Sequence, residues 1–228
     1  MAPTRGFRQA LVDATGLGVI AEVKRSSPSK GALAPDLDPA WLAGQYETGD
    51  ATCLSVLTDV EFFAGSPEDL AAARAAVSLP VLRKDFTVVE TDVIDARLMG
   101  ADAVLLIAAA LDDGELAGFH ALAREVGLDV LVEIHDENEL ERALAVDATL
   151  IGVNQRDLVT FEVDTDRARR MAPLIPSGVV RVAESGVVGA TDAALLAGAG
   201  YHAVLVGESL VTSGDPAAGV AALRSARH

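Results

Sequence analysis

Eight short β-branched runs alternate with alanine-rich segments along almost the whole chain, and no other feature constrains the fold as strongly. The runs are VIAEV (19–23), TCLSVL (52–57), PVLRKD (80–85), AVLLIA (103–108), DVLVEI (129–134), TLIGVN (149–154), VVRVAE (179–184) and AVLVGE (203–208). Helix-like segments lie between them, at 66–77, 90–99, 112–126, 136–145, 189–197 and 215–226. Ser66, Asp112 and Asp215 stand where N-caps belong, and Gly100, Gly127 and Gly198 where helices end. Eight strand-then-helix units in about 210 residues match the count and size of a (β/α)8 TIM barrel. A doubly wound open sheet usually has fewer strands and carries a glycine-rich nucleotide fingerprint that is absent here. No linker or break in composition divides the 228 residues, so residues 1–228 are expected to form one domain.

The first run, continued as VIAEVKRSSPSKG, poses a problem. Alternate strand residues share a face, so Glu22 and Lys24 point together into the barrel. Buried charges are costly and need a reason. In such barrels the chemistry sits at the C-terminal strand ends. There the sequence places Glu22 and Lys24, Lys84, Glu133, Asn154 with Arg156, Glu184 with Ser185, and Gly207. A purely structural barrel has no use for so many polar groups at one mouth. AESGV and LVGESL follow the seventh and eighth strands, where backbone N–H groups commonly bind phosphate. Gly186 and Gly207 allow a close approach there, and Lys24 and the Ser27 hydroxyl complete the candidate phosphate site.

Charge narrows the partners. With 18 basic and 34 acidic residues the net charge is −16, which repels nucleic acid and anionic membranes alike. An anionic small substrate then needs a local cationic pocket. Only Lys24, Lys30 and Lys84 among the basic residues are lysines. A lysine pKa responds to burial as arginine's does not, which makes these three candidates for chemistry. Cys53 is read as a small buried hydrophobe and Trp41 as a packing residue. His120, His135, His202 and His228 are scattered, so no metal site is expected. No run is long enough to cross a bilayer and the N-terminus lacks an apolar signal core, so the expected location is the cytoplasm.

The motifs IAEVKRSSPSKG, LSVLTDVEFFAGS, PVLRKDF, LVEIHDENEL, GVNQRDL, VAESG and VLVGESL, in that order and spacing, resemble the indole-3-glycerol-phosphate synthase family over residues 5–226. The resemblance implies a carboxy-lyase of tryptophan biosynthesis that needs neither metal nor organic cofactor. Its substrate would be the phosphosugar–anthranilate conjugate 1-(2-carboxyphenylamino)-1-deoxyribulose 5-phosphate. By the same resemblance Lys84 matches the general acid and Glu133 the acid/base glutamate. Glu22, Asn154 and Glu184 match residues that orient substrate and lysines, and Lys24 the lysine that engages the anionic substrate. Arg156 matches a residue near the anthranilate carboxylate. Ser185, Gly186, Gly207 and Glu208 fall in the phosphate loops, and SSPSKG reads as a mobile lid. Family members usually begin with a longer helical extension folded over the mouth. Residues 1–18 are read as its remnant, GFRQAL resembling its end. The expected state is a monomer or weak homodimer, with other tryptophan-pathway enzymes as candidate partners. Two alternatives stay open: a phosphosugar barrel with an altered substrate, and a non-catalytic paralogue acting as a complex subunit.

Overall fold

The computed structural model describes residues 3–225; residue 226 of the last expected helix and His228 lie outside the described residues. The eight runs become strands β1 Gly18–Val23, β2 Cys53–Leu57, β3 Val81–Lys84, β4 Ala103–Ile107, β5 Asp129–Ile134, β6 Leu150–Asn154, β7 Val180–Glu184 and β8 Ala203–Val206. All neighbours pair in parallel and β8 closes on β1, with Gly18 opposite Ala203, so the sheet is a closed (β/α)8 barrel. The strand-end residues thus converge on one mouth, as the alternation predicts.

Period-two alternation divides the strands between two cores. Outward residues such as Val19, Ala21, Val104 and Val132 pack under the helices. Inward residues Ile20, Cys53, Leu82, Leu105, Leu131, Leu150, Val182 and Leu205 fill the barrel. Fully burying one such leucine contributes about 1.5–3 kcal/mol. Cys53 is buried as expected, and burial pushes its thiol pKa upward, so it stays neutral.

The expected caps hold the helices. Ser66 Oγ accepts the Asp69 N–H at 3.2 Å, Asp112 that of Glu115 at 2.8 Å and Asp215 that of Ala218 at 2.9 Å. Gly100 and Gly127 take the left-handed conformation at helix ends, with φ of 93° and 82°. Gly198 does not: it is the last residue of the helix Ala190–Gly198, and Gly200, at φ 90°, makes the turn. The eighth strand also ends sooner than expected. Gly207 leaves the sheet and Glu208 opens a short helix, Glu208–Val211. Trp41 lies on the helix Pro39–Thr48 but is 56% exposed, so it does not pack into the core; that helix buries Leu42, Ala43 and Tyr46 instead.

The N-terminal helix α1 (Phe7–Asp13) closes the end of the barrel opposite the mouth. Phe7 and Leu11 insert among the lowest inward residues, including Cys53 and Ala103. Asp129, at the foot of β5, accepts the Arg8 N–H at 2.8 Å, and Asp102, just before β4, that of Arg5 at 2.8 Å. GFRQAL therefore plugs the floor, whereas an extension folded over the mouth would lie at the other end. Among the described residues, no helix is long and apolar enough to cross a membrane.

Candidate active site

The top inward layer of the barrel is polar. Glu22 and Lys24 do share a face, their carboxylate and ammonium 2.5 Å apart, and Tyr46 anchors the strand by donating to the Glu22 carbonyl at 2.9 Å. Across the mouth Lys84 donates to Glu133 at 3.1 Å and stands 3.7 Å from Glu184. Asn154 donates to the other Glu133 oxygen at 3.1 Å. Six sequence-predicted residues from five strands or their ends thus form two facing groups, Glu22–Lys24 and Lys84–Glu133–Glu184–Asn154.

Two glycines make room for these carboxylates. A Cβ on Gly152 would stand 2.0 Å from Glu184 Oε1, and one on Gly207 2.2 Å from Glu22 Oε1 and 3.1 Å from Lys24 Nζ. What the structure shows at Gly207, a candidate phosphate residue, is room for the Glu22 carboxylate. Gly152 was missed. A glycine inside the strand motif GVN was the available signal, because strand glycines mark close approach.

The electrostatics divide the two buried glutamates. Burial raises the pKa of both. For Glu133 the Lys84 ammonium, His135 and the Asn154 amide outweigh burial and hold the carboxyl below its ordinary value. For Glu184 burial and repulsion from Glu133 prevail over Lys84, and its pKa rises well above the ordinary value. Its Oε1 is buried with no hydrogen-bond partner. Burial opposes the charge on Lys84, but Glu133, Glu184 and Glu22 together raise its pKa above that of an ordinary lysine. The site thus presents an ammonium between one carboxyl that favours its charged form and one that favours its protonated form. Environments that split two carboxyls in this way assign one as acid and one as base.

The surrounding loops are tied down individually. Buried Arg83 donates to Thr58 at 3.1 Å and to Asp85 at 2.9 Å, joining the loops that leave β2 and β3. Those loops carry an aromatic cluster, with the Phe86 ring centroid 6.1 Å from that of Phe62 and 6.4 Å from that of Phe63, an apolar surface in the mouth loops. The lid residues form a small hairpin, Ser27 opposite Gly31. Its Lys30 reaches Glu208 at 3.5 Å. The Glu208 carboxylate is thereby engaged by a cation, and a carboxylate repels phosphate, so only backbone N–H groups at that position suit an anion. Ser185 and Gly186 turn after β7 with φ of 64° and 72°, and Ser209 Oγ donates to the Val187 carbonyl at 3.3 Å, joining this loop to the one after β8. Arg156 folds back on its own loop, donating to the Phe161 carbonyl at 3.1 Å. Its backbone N–H donates to Asn154 Oδ1 at 3.0 Å, so the Arg156 loop orients the amide that holds Glu133, while Ser27 sits in the hairpin beside the two charged groups.

The family model for indole-3-glycerol phosphate synthase matches residues 1–223. The indole-3-glycerol phosphate synthase of Mycolicibacterium vanbaalenii is 55% identical over 217 residues, covering 95% of this chain and 80% of that protein. That of Mycobacterium ulcerans is 56% identical over 211 residues, covering 92% and 78%. Among solved structures, thiamine phosphate pyrophosphorylase from Pyrococcus furiosus superposes with a TM-score of 0.67 at 14% identity, covering 91% of this chain and 94% of that one. At that identity the likeness shows the fold alone.

Proposed function

The chain belongs to the indole-3-glycerol phosphate synthase family, and from that premise we propose that this mouth converts 1-(2-carboxyphenylamino)-1-deoxyribulose 5-phosphate to indole-3-glycerol phosphate with loss of carbon dioxide and water. One observation carries the residue assignments: Lys84 lies between Glu133 and Glu184, whose protonation tendencies diverge.

The ring carbon bearing the carboxylate attacks the ketone carbon, and the Lys84 ammonium protonates the developing alkoxide. Loss of carbon dioxide restores the aromatic ring. The hydroxyl then departs as water, taking a second proton, and the Glu133 carboxylate removes the proton from the carbon beside the ring nitrogen. Overall two protons are taken up and one is given back; the new carbon–carbon bond replaces the lost carboxyl group on the ring, and the net proton, which leaves in the water, balances the charge of the departed carboxylate. Glu184, whose surroundings favour its protonated form, stands 3.7 Å from Lys84 and is placed to recharge the amine between the two donations. Phe62, Phe63 and Phe86 offer the aryl ring an apolar wall, and Lys24 and Arg156 supply local positive charge in an acidic chain. The phosphate is assigned to backbone N–H groups at Ser185, Gly186, Gly207 and Glu208, with Ser27 and the Lys30 hairpin closing over it.

A non-catalytic barrel has no use for a lysine held between an acid and a base, which favours the enzyme over the binding-subunit alternative. The test is to incubate purified protein with the substrate and follow the rise of indole fluorescence. Product formation that Glu133→Gln abolishes is the expected result. No product from folded protein overturns the reading.

A further inference from the structure

His135 follows β5 by one residue, and the structure surrounds it with acids. Its backbone N–H donates to Glu139 Oε2 at 2.7 Å, and its ring Nδ1 lies 3.0 Å from the same oxygen. An ionised carboxylate only accepts, so Nδ1 carries the hydrogen and Nε2 faces the other way. There Nε2 is buried, has no hydrogen-bond partner, and lies 3.6 Å from Glu133 Oε1. Two bare lone pairs facing each other out of water repel, and one proton between them turns repulsion into attraction.

We infer that His135, held from behind by Glu139, is a positioning residue that fixes the Glu133 carboxylate and holds one proton against it. The inference deepens the proposed function and rests on Glu133 being the base. Glu133 already receives Lys84 on one oxygen and Asn154 on the other, and both favour its charged form. The shared proton therefore rests on Nε2 while Glu133 is free to accept the substrate's proton. The gap of 3.6 Å exceeds a hydrogen bond and closes with a small rotation of either side chain. A histidine that merely packs has no reason to leave a buried nitrogen unpartnered beside the catalytic carboxylate.

The measurement is kcat and KM against pH for the full chain and for His135→Gln, Glu139→Gln and Glu133→Gln. Lys84 from β3 and Glu184 from β7 face Glu133, Glu22 from β1 acts on both of those, and Glu139 from the helix Glu137–Ala145 holds the His135 ring; the first three are unaltered in the His135 and Glu139 variants. Without a proton donor at Nε2 Glu133 protonates more readily, so the acid limb of kcat should move up by about one pH unit. The loss should be about tenfold on that limb, vanish at higher pH, and leave KM within about twofold. Glu139→Gln should move the limb in the same direction by less, and it reads the same effect if His135→Gln fails to fold. A loss of equal size at every pH, or an unmoved limb in both variants while Glu133→Gln is inactive, overturns the inference alone. Near-normal turnover in Glu133→Gln overturns the base assignment itself.

Discussion

Asp102, below β4, and Glu184, at the head of β7, are both buried carboxylates, and their surroundings are opposite. Asp102 receives the Arg5 N–H and the Val81 N–H, each at 2.8 Å, and an ion pair from Arg74. Glu184 has one lysine at 3.7 Å and an oxygen with no partner. The contrast extends to the two ends of the barrel. All three lysines of the chain stand at the mouth, whereas the floor contacts are made by arginines, Arg5, Arg8 and Arg74. Among the described residues, the buried side-chain atoms without a partner are Ser55 Oγ, Thr87 Oγ1, His135 Nε2, Gln155 Oε1, Glu184 Oε1 and Arg181 Nε; all but the last belong to mouth-facing positions or mouth loops. Satisfied charge holds a fold together. Charge left partly unsatisfied is reactive, because a substrate can complete it.

Exchanging the two roles gives the largest effects. Lys84→Ala and Glu133→Gln should each lower kcat by at least ~100-fold while the melting temperature changes little. Lys84→Arg should fail as well, since a guanidinium does not release its proton near neutral pH. Asp102→Ala should do the reverse, costing about 3–5 kcal/mol of stability through the stranded Arg74 and leaving turnover per folded molecule intact. Denaturant melts paired with kcat decide the matter; a floor mutant that loses turnover but not stability would erase the distinction between the two ends.

Next come the glycines under the mouth. Gly152→Ala and Gly207→Ala should displace Glu184 and Glu22 respectively, and a misplacement of about 1 Å can cost ~100-fold in rate. Steady-state kinetics should show kcat falling along with any rise in KM. A pure KM effect in Gly207→Ala would confine that residue to phosphate binding.

The pH dependence of stability sharpens the comparison further. The folded-state pKa of Glu184 lies above its ordinary 4.5, so stability is greatest below that value and declines as the pH rises above it. Glu184→Gln removes the decline. It should melt like the parent at about pH 4 and at a higher temperature at about pH 8. Equal melting temperatures at both would show that Glu184 ionises freely.

The smallest effect belongs to the lid. The Lys30–Glu208 pair is half-exposed on both sides, and such pairs are worth about 0–1 kcal/mol. Lys30→Ala should raise KM no more than about fivefold, with kcat and melting temperature unchanged. A large fall in kcat would make Lys30 part of the chemistry.

By itself the sequence determined the strand count, the inward alternation and the identity of the charged mouth residues, because all three follow from local periodicity and from residue types that are costly to bury. Glu22 and Lys24 could be paired from their spacing alone. The Lys84–Glu133–Glu184 group could not, since its members come from three different strands and only barrel closure brings them together. Nor could the sequence separate the two glutamates: both end a strand, and the protonation of each depends on which neighbours crowd its carboxyl. The floor position of α1, the exposure of Trp41 and the isolation of His135 Nε2 were likewise decided by tertiary packing. A contact between residues far apart in the chain leaves no period in the sequence, and a buried charge takes its character from all the groups around it.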